Sequence, residues 1–142
     1  MLKDSPHKFI YSFFKFLEKN KGTKTPIGVK LRYAPDEITD EELNVEDYID
    51  LSYTNITSLP DGLKVRDDLD LFSSNLTSLP DNLKVGGDIF SNYSKISSIP
   101  NNLQVGKDLY LQTTPLAEKY DEKQIKKMIE DKGGYVKGAI YV

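Results

Sequence analysis

Apolar residues return along the chain at a fixed interval of twenty. Ile56, Leu59, Leu63 and Val65 are followed in register by Leu76, Leu79, Leu83 and Val85, and then by Ile96, Ile99, Leu103 and Val105. Pro60, Pro80 and Pro100 hold the same place in each unit, and between units stand Leu69-Asp-Leu71, Ile89-Phe-Ser91 and Leu109-Tyr-Leu111. A truncated copy precedes them as Leu43-Asn-Val45 and Ile49-Asp-Leu51. Apolar residues two apart point to one side of a strand, so each unit predicts short strands whose leucines face inward. Asp88, Asp108 and the residues before them suit a turn between strands. The prolines, which have no N–H to donate, suit corners. One such coil cannot cover its own apolar side, and about three or more must stack to close a core. About four are expected, over residues 36–116.

The flanks follow other patterns. Ser5-Pro6 is a helix-start signal, and residues 6–19 predict a helix whose cleanest apolar stripe is Phe9, Phe13, Phe16 and Leu17. Ile27, Val29, Leu31 and Tyr33 alternate and predict a strand. Residues 116–132 predict one helix, with Tyr120, Ile125, Met128 and Ile129 inward and Gly133-Gly134 as its stop, and residues 135–142 predict a strand. The expected fold is an α+β repeat. A short solenoid with parallel strands is capped by a helix plus strand at each end. The expected organisation is a single domain over 1–142, with caps at 1–35 and 117–142. The aromatic helix is expected to cap the first coil, with a partner-binding or membrane-surface role as the alternative. Lys3, Lys8, Lys15, Lys19, Lys21 and Lys24 favour an anionic surface.

Composition narrows the chemistry. The 142 residues include no Cys and one His, His7. A disulfide framework, a thiolate nucleophile, a multi-histidine metal site and a Ser-His-Asp triad are therefore not expected. The net charge of −3 does not class the chain as a nucleic-acid binder. Sections are less balanced: residues 1–35 carry eight Lys/Arg and two Asp/Glu, and residues 36–72 carry two and twelve. A basic cap beside an acidic first coil suggests intramolecular attraction, or recognition of a basic partner. Phe9 to Leu17 is too short and too polar to span a bilayer, and no signal peptide is recognised, so a cytoplasmic location is expected.

Residues flanking the strand leucines are expected to point outward, in columns Tyr48-Asp68-Asp88-Asp108, Asp50-Asp70-Phe90-Tyr110 and Ser52-Phe72-Asn92-Gln112. That places Phe72, Phe90 and Tyr110, with Tyr93 nearby, beside Asp50 and Asp70 as a candidate binding face. Stacked Asp68, Asp88 and Asp108 could offer oxygen to a calcium ion. Turn chemistry is the better reading, and no metal or cofactor is expected. The acceptor-like triplets at Asn55, Asn75 and Asn92 read as repeat turns, and Asp67/Asp68 sit in no recognisable pocket.

The twenty-residue unit with Leu79-Pro-Asp-Asn-Leu83 resembles the bacterial and phage type of leucine-rich repeat over about half the chain. The resemblance implies a right-handed solenoid with a parallel sheet on its concave face. The family's buried Asn ladder is replaced here by Thr54, Ser74, Ser94 and Thr114, whose hydroxyls are expected to bond the neighbouring coil. Ser91 stands where a strand leucine belongs, which predicts a thin core or a shifted strand. Some bacterial members carry a ubiquitin-ligase domain with a Cys nucleophile, for which this chain has neither the Cys nor the room. The expected function is non-enzymatic binding of another protein through the concave face and the N-terminal helix, as a small phage or bacterial inhibitor of a host protein would do. The alternatives are a structural protein that homo-oligomerises through its caps or an edge, and an acidic nucleic-acid mimic. Direct nucleic-acid binding is not expected.

Overall fold

Twice in every repeat the backbone straightens for two residues and bonds to the repeats before and after it. The computed structural model describes the backbone from Pro6 onward and side chains from Phe9 onward, so the predicted cap at Ser5 lies outside the described residues. The strands are β1 (Asn44–Val45), β2 (Ile49–Asp50), β3 (Lys64–Val65), β4 (Leu69–Asp70), β5 (Lys84–Val85), β6 (Ile89–Phe90), β7 (Gln104–Val105), β8 (Leu109–Tyr110), β9 (Tyr135–Val136) and β10 (Ile140–Tyr141). Odd-numbered strands form one parallel five-stranded sheet and even-numbered strands another. The register follows the period: Val65 pairs with Val45 and Val85, and Leu69 with Ile49 and Ile89. The repeats thus stack as a β-solenoid with two parallel sheets, where the leucine-rich-repeat resemblance implies one on the concave face.

The core lies between the sheets. Leu51, Leu63, Leu69, Leu71, Leu76, Leu83, Ile89, Leu103, Leu109 and Leu111 are fully buried in one continuous cluster. Burying each such side chain contributes roughly 1.5–3 kcal/mol, and no single coil could do this alone. Ser91 is also fully buried, and its strand is not shifted, since Ile89 pairs with Leu109. Its hydroxyl donates to the Tyr110 carbonyl at 2.7 Å, so the polar group is satisfied across the coil gap. The hydroxyls in the expected ladder behave differently from expectation. Thr54 and Thr114 donate to the carbonyls of Leu51 and Leu111, three residues back in their own coils, at 2.6 and 2.7 Å. These two hydroxyls close turns within their own coils rather than linking one coil to the next.

Three elements depart from the sequence-based expectations. Residues 27–33 are a helix, α2 (Ile27–Tyr33), after α1 (Pro6–Lys21). Ile27 and Leu31, four apart, share a helical face, and Leu31 is buried against the core. Alternation over so few residues did not distinguish the two periods. The single C-terminal helix is two, α3 (Pro115–Lys119) and α4 (Glu122–Asp131). Thr114 caps α3. A capping box of Asp121 and Gln124 starts α4 afresh. Residues 135–142 form two strands rather than one. They pair with β7 and β8, so the end of the chain carries a further strand pair of the solenoid as well as its helical cover. Among the described residues no helix is long and apolar enough to cross a membrane.

The aromatic helix also differs. Tyr11, Phe14 and Leu17 are its half-buried apolar positions, and α1 packs on α2. Phe9, Phe13 and Phe16, expected inward, are 75, 51 and 57% exposed. Attraction between the basic and acidic sections is present: Lys30 pairs with Glu42 at 2.9 Å and Lys15 with Glu37 at 3.5 Å.

Candidate functional site

The outward side of the even-numbered sheet carries one side chain per coil in a straight column. Pairing places Asp50 beside Asp70, Asp70 beside Phe90, Phe90 beside Tyr110, and Tyr110 beside Tyr141. Inward neighbours on the same strands are leucine, isoleucine and Ser91, so alternation forces these five outward. The rings stack. Phe90 and Tyr110 have centroids 5.0 Å apart and planes 21° from parallel, and Tyr110 and Tyr141 are at 4.7 Å and 16°. Coil spacing in a parallel sheet, about 4.8 Å, is also a comfortable stacking distance. Ring faces are therefore turned toward one another, and ring edges and phenol groups face outward.

A second aromatic row runs beside the first. Tyr53 meets Phe72 at 5.5 Å and Phe72 meets Tyr93 at 5.4 Å, both edge to face. Tyr53 and Tyr93 are 76 and 57% exposed. Both sit at positive φ, 57° and 61°, in a column shared with Ser73 and Thr113. A bulky residue in this left-handed region costs of order 1–3 kcal/mol, and asparagine or glycine would relieve it. Asn92 donates to Gln112 across the coil gap between the two rows.

The predicted residues are thus assembled in two sets rather than one patch. Phe90 and Tyr110 belong to the stacked column, Phe72 and Tyr93 to the edge-to-face row, and Asp50 and Asp70 continue the stacked column at its other end. Tyr53 and Tyr141 were not singled out from the sequence. Tyr53 was legible, since it lies forty residues before Tyr93. Tyr141 was obscured because the α3–α4 insertion places it 31 rather than 20 residues after its partner.

The acidic end is uncompensated. None of the ion pairs among the described residues involves Asp50 or Asp70. Ser52 donates its hydroxyl and its N–H to Asp50 at 2.6 and 3.0 Å, which lowers the Asp50 pKa. Asp70 goes the other way. Burial raises its pKa, with the charges of Asp50 and Asp68 adding to it, against one hydrogen bond from the Phe72 N–H at 3.0 Å. Burial likewise raises the Tyr110 phenol, with Asp108 and Asp88 nearby.

The stacked aspartates at the strand starts have another task. Asp68 accepts the N–H of Asp88 at 2.7 Å, Asp88 that of Asp108 at 2.8 Å, and Asp108 that of Ala139 at 2.7 Å. Each carboxylate satisfies the bend of the next coil. A Cβ on Gly87 would meet the Asp68 carboxylate oxygen well inside contact distance, so a side chain there would have to displace it. No group of three His, Cys, Asp or Glu suited to a metal ion occurs among the described residues.

Comparison of the chain with protein-family models, with curated proteins and with solved structures finds no match.

Proposed function

We propose that this chain is a non-catalytic protein-binding module of the leucine-rich-repeat type, engaging another protein through the outward side of its even-numbered sheet. The observation that carries this reading is the pair of aromatic rows, Phe90-Tyr110-Tyr141 and Tyr53-Phe72-Tyr93. Grouped, partly exposed aromatics are the usual anchors of interfaces. Two of the tyrosines occupy strained backbone where a smaller residue would fit better, which argues that the side chain itself is needed. The uncompensated Asp50 and Asp70 extend the surface toward a partner with a basic region.

Five coils at strand spacing reach only about 20 Å. A standard interface takes about 800 Å² from each partner. Both aromatic rows are therefore needed to make one contact area. The test is side-chain footprinting of the tyrosines by radical labelling, alone and in the presence of host lysate. The reading expects Tyr53, Tyr93, Tyr110 and Tyr141 to become protected while Tyr33 does not. Uniform labelling of all tyrosines in both conditions would count against it.

A further inference from the structure

We infer that α1 is a peripheral docking element for an anionic lipid surface. This inference does not rest on the sheet face. The helix presents Phe9, Phe13 and Phe16 along one line, with Ile10 exposed beside them, while Tyr11, Phe14 and Leu17 take the side toward α2. At about 100° per residue, Lys19 projects about a quarter turn to one side of that aromatic line, and Lys21, one turn beyond Leu17, about a third of a turn to the other. Both are exposed, as is Lys24 just beyond the helix, and none takes part in the ion pairs found among the described residues.

The helix's one described acidic residue, Glu18, is engaged elsewhere. It accepts the Thr25 N–H at 2.8 Å and pairs with Lys15 at 3.1 Å, and Lys15 also reaches Glu37. The outer rim is therefore cationic around an aromatic centre. A helix lying in a bilayer interface needs this arrangement, with rings sunk among acyl chains and lysine stems reaching up to phosphate. Two flanking cations of one sign are complementary to a continuous anionic plane on both sides of the helix.

The test is co-sedimentation of the full chain with vesicles of phosphatidylcholine alone and of phosphatidylcholine mixed with phosphatidylglycerol. The protein should partition onto the mixed vesicles, less so at high salt. Phe13→Ser with Phe16→Ser should weaken that partitioning on the order of tenfold or more, and Lys19→Glu with Lys21→Glu should abolish the preference for anionic lipid. Phe90→Ala should leave it unchanged, which separates failure of this inference from failure of the sheet-face reading. Melting temperatures of the variants within a few degrees of the parent confirm that the fold is intact. Absence of sedimentation with mixed vesicles overturns the inference. So does equal partitioning onto both kinds of vesicle. A dimer seen by light scattering and lost on Phe13→Ser would assign the face to a second copy of the chain instead.

Discussion

Phe90 and Tyr110, twenty residues apart, lie 5.0 Å apart ring to ring on neighbouring strands and stack within 21° of parallel. The contact is a direct product of the repeat period, because any two residues twenty apart on β6 and β8 are in register. It belongs to the surface rather than the core, since Ile89 and Ser91 on either side of Phe90 are buried. Removing one ring should therefore cost the fold only the stacking contribution and part of its area. Phe90→Ala should lower stability by about 1–2 kcal/mol, read as the urea midpoint. Global unfolding would show that the stack holds the coils together.

The strained tyrosines predict an opposite balance. Tyr93→Asn places a residue that tolerates positive φ in the left-handed position. The loss of the Phe72 contact and the relief of strain should offset each other within about 1 kcal/mol. Partner binding should nonetheless fall. A variant that unfolds readily would show that Tyr93 is retained for stability.

The aspartate ladder predicts a difference between two substitutions at one position. Asp88→Ala leaves the Asp108 N–H without its acceptor, and should cost about 1–3 kcal/mol. Asp88→Asn keeps an oxygen acceptor and should cost much less. Thermal melts of both, with and without calcium, check this. A calcium-dependent midpoint lost in either variant would contradict a purely structural ladder.

Acid should act on the N-terminal helices first. The Thr25 N–H and Lys15 lower the Glu18 pKa from 4.5 to about 2, and Lys30 lowers that of Glu42. Groups depressed in the fold contribute stability above their ordinary value and lose it as pH falls toward the folded value. Helical circular dichroism should therefore decline between about pH 4.5 and 2, and Glu18→Gln should flatten that decline. Asp70 has the reverse sign. Its raised pKa means that the charged form is disfavoured in the fold, so Asp70→Asn should raise the urea midpoint at neutral pH, with no gain below its ordinary value of 3.8.

The repeat region was legible because every apolar column has neighbours twenty residues away on both sides, so a misplaced leucine would have broken several columns at once. Leu69, Leu71, Leu83 and Val85 all fall where the period puts them. The ends lack that redundancy. Residues 27–33 fit both a two-residue and a four-residue spacing, and packing of Leu31 decided for the helix. The break at Asp121 carried a readable signal, an Asp with Gln three residues on, which the long apolar pattern hid. Val136 and Ile140 stand as far apart as Val105 and Leu109, so β9 and β10 were also readable once an insertion was allowed. The outward face was half legible. Alternation gave Phe90 and Tyr110, while the division of the rings into two rows depends on the positive-φ turn at Tyr53 and Tyr93.

The buried ends carry a stability prediction as well. Leu83 sits in a middle coil, and Leu116, on α3 itself, is as fully buried. Both alanine substitutions should cost about 2–5 kcal/mol. A much smaller loss for Leu116→Ala would show that α3 and α4 cover the core only weakly.

The central claim is that the aromatic rows, and not the solenoid in general, hold a partner. The most direct measurement is quantitative affinity capture from host lysate with the parent chain and with a Phe90→Ala, Tyr93→Asn double variant, at a temperature where both are folded by circular dichroism. The account predicts that a specific protein is retained by the parent, and that its retention by the variant drops on the order of thirtyfold, as loss of an interface anchor of about 2 kcal/mol requires. Equal retention of the same protein by both chains would contradict it.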